Sequence, residues 1–135
     1  MAAVKLESRK EGRISREDIQ PEVFGGSYEV RAVDLGGFNV SFEKALEDMD
    51  VTPYLKGLPD DRDPCPHWGF LFKGKIIIRY KDREETVNAG EAYYMAPGHT
   101  ALVKKGSELV EFSPKSELDK TMAVIAKNLQ TIGTK

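Results

Sequence analysis

The sequence predicts an all-β fold, an antiparallel barrel that ends in one carboxyl-terminal α-helix. Three observations carry this. Tyr28, Val30 and Ala32 alternate with Glu29 and Arg31, and Phe38, Val40 and Phe42 alternate with Asn39 and Ser41; a period of two is the pattern of half-buried strands. Gly25-Gly26 and Gly36-Gly37 punctuate these runs, and short turns favour antiparallel neighbours. Finally, Ser113-Pro114 reads as an N-cap and first-turn proline. Beyond it Leu118, Met122, Ile125 and Leu129, with Ala126 beside them, recur at helical spacing, so a helix is expected over residues 115–130 with that stripe docked.

Taken in order, residues 1–20 are dense in charge with few apolar side chains, and are expected to be a flexible lead-in or an edge strand. After the two alternating strands, residues 43–58 read as a loop with a turn of helix: Phe42, Ala45, Leu46 and Met49 have helical spacing, Thr52-Pro53 is a cap and first-turn proline, and Gly57 is a stop. Pro59, Pro64 and Pro66 with Asp60, Asp61 and Asp63 make the next segment too irregular for a ladder, so it is expected to arch over the barrel mouth. The stretch 65–103 then organises the chain. Cys65, His67, Gly69 and Leu71 share one face of an extended segment, and Trp68, Phe70 and Phe72 the other, where they are expected to pack outward. Strands follow at residues 75–80, 86–87, 91–95 and 100–104, with Ala96-Pro97-Gly98 forming a corner that presents His99. One of Tyr93 and Tyr94 must face inward. Residues 109–112 form the last strand.

Residues 65–103 resemble the two motifs of the cupin superfamily, small barrels built as a double-stranded β-helix, or jelly roll. The family's first motif, H-x-H-x(3,4)-E-x6-G, is similar at its end to the run from His67 to Gly74, with His67 where the family has glutamate. The second, G-x5-P-x-G-x2-H-x3-N, is similar to Gly90 through Pro97-Gly98-His99. The glycines and the Pro-Gly corner agree better than the ligands do. Asp61 and Asp63 stand near the places of the family's first two histidines, and position 101, where the spacing would put the second-motif histidine, is alanine. A shift of two residues keeps His99 on the same face. The resemblance implies a jelly-roll barrel with a small-molecule pocket and a divalent metal inside it.

His67 and His99 are the only histidines. Strand ends meeting at one barrel opening would converge their imidazoles, an arrangement that suits a metal. The alternative is that each hydrogen-bonds a carbonyl or carboxylate. Cys65, two residues before His67, is the leading candidate for a third ligand and would favour zinc or copper; Asp63 or Glu108 in its place would favour iron or manganese. Cys65 could equally be a small buried hydrophobe. Zinc, iron, manganese, nickel and copper are not distinguished by these residues.

Length and composition set the remaining bounds. With 135 residues, 40% hydrophobic, the chain is expected to form one domain over 1–135. A net charge of −2 offers no basic footprint for nucleic acid. A single cysteine, and no apolar run of membrane length, point to a reducing cytoplasm without a membrane partner. A homodimer is expected, because a short barrel has edges to protect. Three functions stay open: a metal-dependent enzyme of the kinds found among cupins (dioxygenases, isomerases and lyases, with the missing histidines counting against an oxygenase of the usual kind), a non-catalytic small-molecule binding or sensing module, and a metal-free barrel serving as scaffold.

Overall fold

The structure, a computed structural model, describes residues 8–132. Within them the chain forms β1 (Ser8–Arg9), β2 (Glu22–Phe24), β3 (Tyr28–Leu35), β4 (Phe38–Ala45), β5 (Met49–Asp50), β6 (His67–Lys73), β7 (Lys75–Arg79), β8 (Glu84–Asn88), β9 (Ala92–Met95), β10 (Thr100–Val103), β11 (Glu108–Pro114) and helix α1 (Lys115–Ile132). Short 3-10 turns lie at Arg16–Asp18, Thr52–Leu55 and Pro59–Asp61.

From β4 onward the chain passes back and forth between two sheets. One has the order β1-β3-β4-β11-β6-β9, with β2 also on β3; the other has β5-β10-β7-β8. This is the winding of a jelly roll. Neither sheet is closed by hydrogen bonds, so the expected barrel is two facing sheets. Among the described strand pairs only β1 with β3 is parallel. No described helix is long and apolar enough to cross a membrane.

Alternation decides which residues lie between the sheets. Leu71, Tyr93, Met95 and Leu109 of the first sheet meet Ile76, Ile78, Val87, Ala101 and Val103 of the second in one core. Gly69 belongs to the same inward row. A Cβ there would stand 2.3 Å from Tyr93 Cζ and 2.7 Å from Val110 O, so the glycine is what lets the Tyr93 ring cross β6. A smaller cluster covers part of the first sheet's outer face, where Ile14 and Ile19 pack over Val33, Val40, Phe42 and Val110.

Several expectations are decided or corrected here. Of the two alternatives for the charged amino-terminal segment, Ser8–Arg9 takes the edge strand, as β1 at the end of the first sheet, and the segment is held further by Ser15 N–H donating to Asp18 Oδ2 (3.1 Å) and by buried Ile19; residues 1–7 lie outside the described residues. The helical spacing of Ala45 and Met49 is coincidental, since β4 runs through Ala45 and Met49 opens β5. In α1 the stripe Leu118, Met122, Ile125 and Leu129 is only half-buried, and the one fully buried residue is Thr121. The docking line instead runs through Thr121, Val124 and Asn128. Asn128 Nδ2 donates to the carbonyls of Tyr54 (2.7 Å) and Lys56 (2.8 Å). The helix lies over exposed backbone of the Thr52–Leu55 turn, whose carbonyls need donors, so polar side chains occupy the contact.

Candidate metal centre

Asp63, His67 and His99 come together at one end of the molecule, between the sheets. His67 opens β6 and faces inward by the same parity as Gly69 and Leu71. His99 immediately precedes β10. Backbone bonds hold its segment against Asp63: Asp63 N–H donates to His99 O (2.8 Å) and Gly98 N–H to Asp63 O (2.8 Å). The arch leading into Asp63 depends on Asp60 and Asp61, both with left-handed backbone (φ 57° and 54°), a conformation aspartate tolerates better than most residues.

The two imidazoles meet edge to face, ring centroids 5.1 Å apart. His67 Nε2 lies 2.9 Å and His99 Nε2 3.6 Å from the same oxygen, Asp63 Oδ2. All three ligand atoms fall within 4.8 Å of one another, and the three side chains are buried. The outer nitrogens are held as well: His67 Nδ1 is 2.6 Å from Ser113 Oγ and His99 Nδ1 is 2.7 Å from Ala96 O. Asp63 Oδ1 accepts from Cys65 N–H (2.8 Å) and from Thr121 Oγ1 of α1 (3.2 Å). Such outer partners fix ring orientation and tautomer in metal centres.

Electrostatics separates the two histidines. Burial disfavours an imidazolium at His67, but Glu111, Asp63 and Glu43 outweigh it and lift the group to about 9. His99 is pushed down by burial and then by the positive charge of His67. Burial also opposes ionisation of Asp63, yet the His67 hydrogen bond and both imidazoles leave its carboxyl below the usual range. A carbonyl only accepts, so the Ala96 contact puts the proton of neutral His99 on Nδ1 and leaves the Nε2 lone pair facing the Asp63 carboxylate. Two acceptors facing each other at 3.6 Å have no hydrogen between them. A cation placed among the three groups would satisfy both.

Of the residues singled out in the sequence, His67 and His99 are brought together, and the third corner is Asp63. Cys65 Sγ is not among the group's ligand atoms. The thiol is buried, contacts Pro66 O at 3.4 Å, and is pushed up to about 12 by burial and by the charge of Asp63. Glu108 stands elsewhere, paired with Arg16 (3.1 Å) and Lys73 (3.6 Å). Tyr93 is the inward tyrosine and Tyr94 is exposed.

A second set of polar residues continues the site along the inner face and was not anticipated. Tyr93 donates to Glu111 Oε1 (2.7 Å), Tyr28 donates to Glu43, and Glu111 Oε2 lies 3.7 Å from His67 Nδ1. Burial and neighbouring Glu111 raise Glu43 to about 7. The pattern was readable as polar residues at inward parity, Ser41 and Glu43 on β4 and Glu111 and Ser113 on β11.

No protein-family model matches the chain, and no curated protein matches it in sequence. Solved structures match in shape. An RmlC-like cupin from Shewanella frigidimarina superposes with a TM-score of 0.53 at 15% identity, over 77% of this chain and 91% of that one. The polyketide cyclase RemF from Streptomyces resistomycificus gives 0.55 at 16%, over 77% and 79%. Fe(II)-HppE with the alternative substrate (S)-1-HPP gives 0.50 at 13%, over 74% of this chain and 58% of that chain. At these identities the likeness is one of fold.

Proposed function

We propose that this chain, which has the cupin fold, holds a divalent metal ion on Asp63, His67 and His99 and presents it to a small-molecule ligand between the sheets. The observation that carries the proposal is the convergence of two imidazole Nε2 atoms on one carboxylate oxygen, with the His99 lone pair turned toward that oxygen. Two imidazoles and a carboxylate form the donor set of facial-triad iron sites and also suit zinc or manganese, whereas a protonated Cys65 adds nothing soft to it. The Fe(II) form of HppE is a structural neighbour that carries a metal in this fold.

Such a metal supplies Lewis acidity, polarising a carbonyl or lowering the pKa of bound water. The chain's own residues add the rest. Ser113 and Ala96 keep both rings in register. Glu43, near 7, is divided between its acid and carboxylate forms at neutral pH, so it can take up or release a proton inside the fold. The Tyr93 hydroxyl, held on Glu111, is a donor that a polar ligand could share. This favours a metal-dependent enzyme over a passive binding module.

One observation supports the metal-free reading: an imidazolium at His67 bridging Asp63 and Ser113 is a complete buried ion pair by itself. Elemental analysis of protein purified without added metal separates the two. About one equivalent of a transition metal per chain is expected, and a substoichiometric content that metal supplementation does not raise would favour the ion pair.

A further inference from the structure

The outer face of the first sheet carries an aromatic patch for which the metal centre has no use. Trp68, Phe70 and Phe72 of β6, Phe112 of β11, Tyr94 of β9 and Phe38 of β4 point away from the core, each between 36% and 52% exposed. They are contiguous. Trp68 stacks at 5.0 Å on Tyr94 and meets Phe38 at 6.1 Å, Phe70 meets Phe72 at 5.1 Å, and the ladder places Phe112 directly beside Trp68. The segment with Ile14 and Ile19 covers the neighbouring Val33, Val40 and Val110 and stops short of these rings.

We infer that this face is the contact surface between two copies of the chain. Its area argues for a second copy. At roughly 200 Å² per aromatic side chain, the six rings expose about 500 Å², the upper end of what a monomer leaves uncovered. Two such faces bring together about 1,000 Å² from the aromatic rings alone, and flanking strand residues extend this toward the roughly 1,200–2,000 Å² of a stable interface. Charge argues the same way. The outward positions of β6 and β9 and those of β11 from Val110 to Pro114 carry no charged side chain. Of the charges at the rim, Arg16 and Lys73 pair with Glu108 and Arg31 pairs with Glu29, while Lys44 ends the outward row of β4 outside the patch. A basic or acidic partner would find no charge within the patch to pair with, and an identical apolar face meets no like-charge penalty there.

Trp68 is the only tryptophan, so its fluorescence reports on this face and on no other. Sedimentation and emission spectra are to be followed together over micromolar to millimolar concentration. The expected result is a doubling of mass, accompanied in step by a blue shift of Trp68 emission and loss of acrylamide quenching. Phe112→Lys, at an exposed position in the middle of the patch, is expected to weaken association roughly thirtyfold or more with an unchanged far-UV spectrum. A monomer throughout the concentration range overturns the inference, and so does a dimer whose Trp68 emission and quenching match the monomer's. The test reads no metal, so it stands or falls apart from the metal centre.

Discussion

Asp63→Asn is expected to abolish metal binding while leaving the fold intact. The substitution is close to isosteric. An amide oxygen at the Oδ1 position keeps the bonds from Cys65 N–H and Thr121 Oγ1, and the amide NH₂ can donate to a neutral His67 Nε2, so no buried donor or acceptor is stranded. What is lost is the anionic ligand. Loss of an outer partner already costs metal centres 10- to 100-fold in affinity, and a direct ligand should cost more. In the unaltered protein, metal at about 100 times its dissociation constant should stabilise the fold by about 2.7 kcal/mol; in Asp63→Asn that increment should vanish. His67→Ala tests the same claim less cleanly. It takes from Asp63 Oδ2 and Ser113 Oγ the imidazole they share in a buried place and so should lower stability by about 3–5 kcal/mol whether or not metal binds. If Asp63→Asn retains the metal-dependent shift in denaturation midpoint, the carboxylate is not a ligand.

Metal-free protein should lose stability as pH rises from ~6.5 to about 9, whereas metal-loaded protein should hold level over that range. His67 titrates at about 9 in the fold and near ~6.5 when unfolded. The folded state therefore holds the proton more tightly, and this contribution is full below ~6.5 and lost as pH rises through 9. Glu43, at about 7 against ~4.3 unfolded, slopes the same way over a lower window. Asp63 slopes oppositely, its contribution present above ~3.9 and lost as pH falls through its depressed pKa. His99, pushed down by burial and by His67, slopes as Asp63 does and its contribution is complete above ~6.5, so the contributions that still change above that pH are declining ones. A decline of roughly 2–4 kcal/mol is expected between pH 6 and 9.5. A metal must displace the His67 proton, so its affinity should rise about tenfold per pH unit up to about pH 9. Denaturant titrations with and without metal should diverge as pH increases. A flat profile in the metal-free protein would mean that His67 carries no proton beside Asp63.

The fold was legible wherever alternation was uninterrupted. β3, β4 and β6 have one inward and one outward row each, with Gly-Gly turns between β2 and β3 and between β3 and β4, and these features call for antiparallel strands with one buried face, in an open sandwich or a closed barrel alike. Parity also placed His67, and the Pro97-Gly98 corner placed His99. Parity misled at Cys65 because the extended segment begins only at His67, with Pro66 between them. Asp63 is brought in by the left-handed turn at Asp60-Asp61 and a backbone bridge to His99, neither of which leaves a periodic trace. The helix shows a different limit. Its apolar stripe is real, but the surface it docks on is polar, so Asn128 donates to the carbonyls of Tyr54 and Lys56 and Thr121 to the Asp63 carboxylate. Glu43 and Glu111 were overlooked because charged residues on a strand are ordinarily read as solvated. Here their inward parity outweighs their polarity, and two tyrosines and an imidazole offset the cost of burial.

The claim that Asp63, His67 and His99 hold a metal is tested most directly by anomalous diffraction at the metal edge, on crystals grown with the metal found by elemental analysis. The expected result is one peak within roughly 2.0–2.2 Å of His67 Nε2, His99 Nε2 and an Asp63 carboxylate oxygen. Crystals in which that place has no peak, and His67 Nε2 still lies at hydrogen-bond distance from Asp63, would contradict it.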